Sequence, residues 1–150
     1  MNKKVFLILF LIIFLAGLLR LPFLNRFPSG FSADEASLGY SAYSILKTGK
    51  DEWGERLPLN PRSFGEYKAP LYIYLTIPSI ALFGLNETAV RLPSAVFGIL
   101  AIVVVFLLTQ ELFGIVTISL LSAFFLAISP WHLVFSRAAI EANLMVFFFP

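Results

Sequence analysis

Two adjacent carboxylates, Asp34 and Glu35, follow an uncharged apolar stretch, residues 5–19, in a chain that is 59% hydrophobic and 13% charged. A carboxylate near a bilayer surface loses hydration energy unless it is solvated, paired or used in chemistry, so this pair is a candidate for acid or base catalysis. The same residues also suit a structural role. Ser32 and Glu35 have the spacing of a capping box, and Asp34 would complement the positive end of the helix dipole.

Four further charged residues have types and positions suited to chemistry at a membrane surface: Lys68, Arg91, Arg137 and Glu141. The three cations are expected to stay charged. Each residue also has a structural alternative. Lys68 and Arg91 could anchor helix ends at the interface, and Arg137 and Glu141 have the spacing of a helical ion pair.

Composition places the chain in a membrane and limits its chemistry. With 17 Phe and few charges among 150 residues, it is more apolar than a soluble domain of this size. The net charge of +2 includes no patterned basic run, so a nucleic acid partner is not expected. The absence of Cys excludes disulfides and thiol catalysis. A divalent metal stays open, because Asp34, Glu35 and Glu141 could supply oxygen ligands.

The apolar segments predict an all-α polytopic membrane protein that is integral to the bilayer. Transmembrane helices are expected at residues 5–23, 91–112 and 115–134, and the start of a fourth at 143–150 indicates an N-terminal fragment. Lys3 and Lys4 favour a signal anchor with its amino terminus in the cytoplasm, so the first span exits to the outer face. Arg20, near that exit, is expected to extend towards the lipid headgroups.

A long first outer loop, residues 24–90, is expected to contain two amphipathic juxtamembrane helices, at 34–48 and 69–85. Gly49 is placed to stop the first of these, and residues 51–66 are expected to be irregular. The second is short for a crossing and contains Pro78. If it crosses, Glu141 lies on the cytoplasmic side. If it lies on the surface, the segment 135–142 is a second outer loop on the same face as Asp34.

Four short segments occur in the order typical of a known family: Asp34-Glu35, Tyr67-Lys68-Ala69-Pro70-Leu71-Tyr72, Arg91-Leu92-Pro93-Ser94-Ala95 and Ser136-Arg137-Ala138-Ala139-Ile140-Glu141. The chain resembles a family 39 glycosyltransferase. That family belongs to the C-type superfamily of polytopic enzymes, with protein O-mannosyltransferases and the aminoarabinose transferases that modify lipid A. The resemblance spans essentially the whole chain.

The resemblance implies transfer of a sugar from a polyprenyl-phosphate donor to a protein, lipid or glycan acceptor. The active site would face outwards from the plasma or inner membrane, and direct displacement would invert the anomeric carbon. The resemblance implies Asp34 and Glu141 as catalytic residues, and Glu35, next to Asp34, is expected to join them. The expected ligands of the donor phosphate are Lys68, Arg91 and Arg137. The resemblance also favours a surface position for residues 69–85.

The alternative is a non-enzymatic polytopic membrane protein, such as a transporter or an assembly subunit, in which these charges cap helices and pair. A transporter is expected to place polar groups within its spans near the midplane. In residues 92–108 and 115–128 the only polar side chains are hydroxyl-bearing ones, and glycine is also present. This pattern favours chemistry at the membrane surface.

Overall fold

The computed structural model describes residues 2–62 and 67–150. Within these ranges the regular structure is α-helical, with seven helices and two isolated β-bridges but no strand. The helices are α1 (Lys3–Arg20), α2 (Ala33–Thr48), α3 (Pro70–Phe83), α4 (Glu87–Phe113), α5 (Val116–Ile128), α6 (Pro130–Arg137) and α7 (Ala142–Phe148). This agrees with the predicted all-α class.

Helix α4 is long and apolar enough to cross a membrane. Its 27 residues span about 40 Å, which exceeds the roughly 30 Å of a bilayer core. It begins at Glu87, four residues before the predicted start, because Asn86 Oδ1 accepts a hydrogen bond from the Ala89 amide at 2.9 Å and caps the first turn. The apolar segment before it, α3, has only 14 residues.

The segment predicted as a single span at 115–134 consists of two helices, α5 and α6, that are bent by 58°. The break lies at Ser129, whose backbone is not helical. Pro130 follows it and cannot donate a backbone hydrogen bond, so the helix ends there. Taken together, α5 and α6 are still long and apolar enough to form one broken span.

The chain divides into two compact units, described separately: a bundle unit (residues up to Pro22, with Ser94–Pro150) and a loop unit (Phe23–Pro93). The core of the bundle unit contains Leu9, Ile12, Ala16, Ile102, Phe106, Ala123 and Ala127. Its alanines lie on α1 and α5, where small side chains let two helices approach closely. Another face of α1 exposes the aromatic side chains of Phe6, Phe10 and Phe14.

Arg20 was predicted to extend to the lipid headgroups, but it does not. Its side chain is fully buried at the carboxyl end of α1. The guanidinium reaches across to α5, where its Nη1 donates to the Ala127 carbonyl at 2.9 Å. The side chain therefore lies inside the bundle unit, where backbone carbonyls accept hydrogen bonds from the guanidinium.

In the loop unit, the predicted capping box of α2 is confirmed. The Glu35 amide donates to Ser32 Oγ, and the Ser32 amide donates to Glu35 Oε2, both at 3.1 Å. The helix ends at Gly49, whose φ of +70° is the left-handed conformation expected of a glycine stop. Gly39 contacts Val90 so closely that a Cβ atom there would lie 2.5 Å from Val90 Cγ2.

Helix α3 packs in the same unit and completes the hydrogen bonding of the start of α4. Pro93 has no amide hydrogen, so the Ala89 carbonyl loses its usual helical partner. Ser79 Oγ donates to that carbonyl at 2.5 Å, and Tyr72 Oη donates to the neighbouring Val90 carbonyl at 3.0 Å. Ser79 of α3 thus donates the hydrogen bond that the Ala89 carbonyl of α4 loses because of Pro93.

The segment predicted to be irregular has no helix in its described part. Asp51 Oδ1 accepts hydrogen bonds from the amides of Trp53 and Glu55, at 2.9 and 2.8 Å. Ser37 of α2 donates to Glu52 Oε1 at 2.6 Å, which attaches the segment to the helix. Residues 63–66 of this prediction lie outside the described residues.

Candidate active site in the first loop

A buried ion pair joins Glu35, at the start of α2, to Arg91, near the start of α4. Arg91 Nε donates to Glu35 Oε1 at 2.8 Å, and Arg91 Nη2 donates to Glu35 Oε2 at 3.0 Å. Arg91 is fully buried, and Glu35 is 5% exposed. This two-point geometry is the strongest form of an arginine–carboxylate contact.

The remaining donors of Arg91 hold the chain that leads into α2. Nη1 donates to the Leu24 carbonyl at 2.8 Å and to the Pro28 carbonyl at 3.1 Å, and Nη2 donates to the Gly30 carbonyl at 2.5 Å. All five N–H groups of the guanidinium therefore have acceptors within the loop unit. Arg91 fixes the backbone immediately before Asp34.

These contacts change the roles expected of Glu35 and Arg91. The sequence suggested Glu35 as a catalytic carboxylate and Arg91 as a ligand of the donor phosphate. In the structure each is engaged by the other, and Arg91 has no N–H left for a phosphate. The pair therefore holds α2 to the loop that precedes it, and a direct role of either residue in catalysis stays a prediction.

Asp34 differs from its neighbour because its side chain is exposed on the first turn of α2. The capping box on either side of it fixes the backbone of this turn. The Asp34 carbonyl accepts a hydrogen bond from Lys68 Nζ at 3.3 Å. This contact brings an ammonium group, from a residue 34 positions later, to the turn that carries the exposed carboxylate.

Arg137 and Glu141 belong to the bundle unit. Arg137 Nη1 donates to the Leu19 carbonyl at 2.7 Å, and Nη2 donates to the Pro22 carbonyl at 2.8 Å, so this predicted phosphate ligand binds the end of α1. Glu141 is half-buried at the N-cap position of α7. Their participation in the chemistry of Asp34 stays a prediction.

The described residues of either unit contain no group of three His, Asp or Glu side chains arranged to hold a metal ion. Of the three carboxylates suggested as oxygen ligands, Glu35 is bound by Arg91. A carboxylate neutralised in this way is a poor partner for a divalent cation. Within the loop unit, the exposed carboxylate of Asp34 and the ammonium group of Lys68 are found at the same turn.

A cleft in the loop unit was not anticipated from the sequence. It has a volume of about 700 Å³ and is lined by Asn25, Phe83, Asn86, Glu87 and Thr88. Asn25 follows Leu24, which Arg91 binds, and Glu87 precedes Arg91 by one helical turn. The cleft therefore adjoins the residues that Arg91 organises. Asn86 in its lining is recognisable from sequence only as a capping residue at the start of α4, which does not indicate a cleft.

Residues 67–149 match the family model for dolichyl-phosphate-mannose-protein mannosyltransferase. The match covers more than half of the chain. It begins at the segment that carries Lys68 and includes Arg91, Arg137 and Glu141, whereas Asp34 and Glu35 precede it. No curated protein and no solved structure matches the chain.

Proposed function

The chain belongs to the dolichyl-phosphate-mannose-protein mannosyltransferase family, and from this premise we propose that it forms part of a family 39 glycosyltransferase. The enzyme transfers a sugar from a polyprenyl-phosphate donor to a hydroxyl of a protein, lipid or glycan acceptor. The observation that carries the proposal is the contact of Lys68 with the turn that bears Asp34. This contact supports a single site in which Asp34 is the base for the acceptor hydroxyl and Lys68 is the cation for the donor phosphate.

In the proposed reaction, the Asp34 carboxylate accepts the proton of the acceptor hydroxyl as its oxygen attacks the anomeric carbon of the donor. The bond from that carbon to the phosphate oxygen breaks, and its electron pair leaves with the polyprenyl phosphate. Lys68 stabilises the additional negative charge on this leaving group. The products are an inverted glycoside and polyprenyl phosphate, and no nucleotide is needed.

The length of α3 supports a site on the outer face of the membrane. Its 14 residues span about 21 Å, less than the roughly 30 Å of a bilayer core. We therefore assign α3, like α2, to the outer surface of the membrane, as a juxtamembrane helix. With this topology, the segment 135–142 is also outside the cytoplasm. On the resemblance alone, Glu141 is proposed as a second acidic residue of the enzyme, and Arg137 as a further ligand of the donor phosphate.

Lys68 provides a test of the donor site. In the full-length enzyme, Lys68→Gln is expected to raise KM for the polyprenyl-phosphate sugar by roughly 10- to 100-fold, because a hydrogen bond to a charged group contributes about 1.5–3 kcal/mol. Lys68→Arg keeps the charge and should retain most of the affinity. Initial rates at varied donor concentration measure the effect.

The matched control is Lys50→Gln, because Lys50 is an exposed lysine of the same loop unit. This variant should leave KM for the donor unchanged. An unchanged KM for Lys68→Gln, or an equal rise for both variants, would remove Lys68 from the donor site.

A further inference from the structure

The break between α5 and α6 leaves two carbonyls without their usual helical partners. The Leu126 carbonyl would accept from the amide at position 130, but Pro130 has no amide hydrogen. The Ala127 carbonyl would accept from the amide at position 131, but the chain leaves the helical conformation at Ser129. A buried carbonyl without a hydrogen-bond partner is costly, so another group is expected to take the place of the missing donors.

Arg20 of α1 supplies those donors. Its Nη2 lies 3.3 Å from the Leu126 carbonyl, and its Nη1 lies 2.9 Å from the Ala127 carbonyl. Nη2 also lies 2.9 Å from Nδ1 of His132 on α6. Because arginine only donates, this contact is a hydrogen bond when Nδ1 of His132 carries no proton. Both side chains are fully buried.

A second arginine makes the reciprocal contact in the same unit. Arg137, at the end of α6, donates to the carbonyls of Leu19 and Pro22 at the carboxyl end of α1. Arg20, at the end of α1, donates to the carbonyls at the carboxyl end of α5. A cation is favourable at each of these ends because the helix dipole is negative there.

We propose that Arg20 is a positioning residue that replaces the hydrogen bond removed by Pro130 and thereby holds α5 and α6 at their 58° bend. The bend sets the direction in which α6 leaves α5, and hence the position of the following segment with Arg137 and Glu141. The replacement of this hydrogen bond by Arg20 does not depend on the protein being an enzyme. Only its consequence for Glu141 rests on the proposed function.

The test is a double-mutant cycle in the full-length protein, with Arg20→Ala, Pro130→Ala and the double variant. Pro130→Ala restores an amide hydrogen for the Leu126 carbonyl, so Arg20→Ala should cost less in that background. The apparent Tm of the double variant is expected to lie about 3–5 °C above the sum of the single effects. Additive losses, or a harmless Arg20→Ala, would overturn the proposal.

A control cycle uses Pro93→Ala, because Ser79 and not Arg20 binds the carbonyl that Pro93 frees. That cycle should be additive. If Arg20→Ala does not accumulate, Arg20→Gln replaces it, because a single amide nitrogen cannot reach all the acceptors of a guanidinium. The cycle of Arg20→Gln with Pro130→Ala then tests the proposal in the same way.

Activity separates positioning from simple stability. The double variant regains part of the stability but loses the imposed bend, so kcat should stay about 10-fold or more below wild type while KM for the donor is unchanged. Full recovery of kcat together with Tm would show that the bend has no positioning role. If the wild-type protein transfers no sugar, the proposed function fails, whereas the stability cycle still tests the replacement.

Discussion

The Asp34→Asn variant of the full-length protein is expected to lose transfer activity by about 10²- to 10⁴-fold, the usual contribution of a general base. Its folded yield and its KM for the donor should stay close to wild type. The side chain is exposed, so the substitution removes no core contact. The carbonyl of residue 34 still accepts the hydrogen bond from Lys68, which leaves the local backbone intact.

The control for this prediction is Glu55→Gln, which neutralises another exposed carboxylate of the loop unit. It should retain full activity. Initial rates for both variants, with the amount of folded protein measured by size-exclusion chromatography, separate chemistry from folding. An Asp34→Asn variant that keeps more than about a tenth of the wild-type kcat would not have lost a general base.

Arg91→Ala is expected to destabilise the protein by about 3–5 kcal/mol, the cost of breaking a buried ion pair by removing one partner. The substitution leaves the Glu35 carboxylate almost fully buried without its cation. It also removes the donors that bind the carbonyls of Leu24, Pro28 and Gly30. A large fall in apparent Tm, or failure to accumulate in the membrane, is the expected result.

Glu35→Gln should be milder than Arg91→Ala, because a glutamine oxygen can still accept a hydrogen bond from Arg91 Nε. Arg26→Ala is the matched control, since Arg26 is an exposed arginine of the same unit and should change the apparent Tm little. If Arg91→Ala instead kept its Tm and raised only KM for the donor, Arg91 would be a phosphate ligand and not an anchor.

Local signals predicted the start and end of α2 well. Ser32 and Glu35 form a capping box and Gly49 forms a left-handed stop, and both depend only on neighbouring residues. The all-α class followed for a similar reason, because long apolar runs must satisfy their backbone groups as helices in a bilayer. The early start of α4 depended on Asn86, a capping residue whose position the apolar pattern did not indicate.

Pairings between distant residues could not be predicted in this way. Glu35 and Arg91 are 56 positions apart, and each alone has the chemical type of an active-site residue. Arg20 was expected at the headgroups, but it binds carbonyls more than 100 positions away in sequence. Composition and spacing describe the surroundings of each residue, whereas these roles depend on which acceptor the tertiary fold brings to it.

The most direct test of the proposed function supplies the full-length protein with two sugar donors, a labelled polyprenyl-phosphate mannose and a labelled nucleotide mannose. The predicted result is that label moves to the acceptor only from the lipid-linked donor, with one polyprenyl phosphate released for each sugar transferred, and that this transfer is lost in Asp34→Asn. Transfer from the nucleotide donor without release of polyprenyl phosphate, or undiminished transfer by Asp34→Asn, would contradict the account.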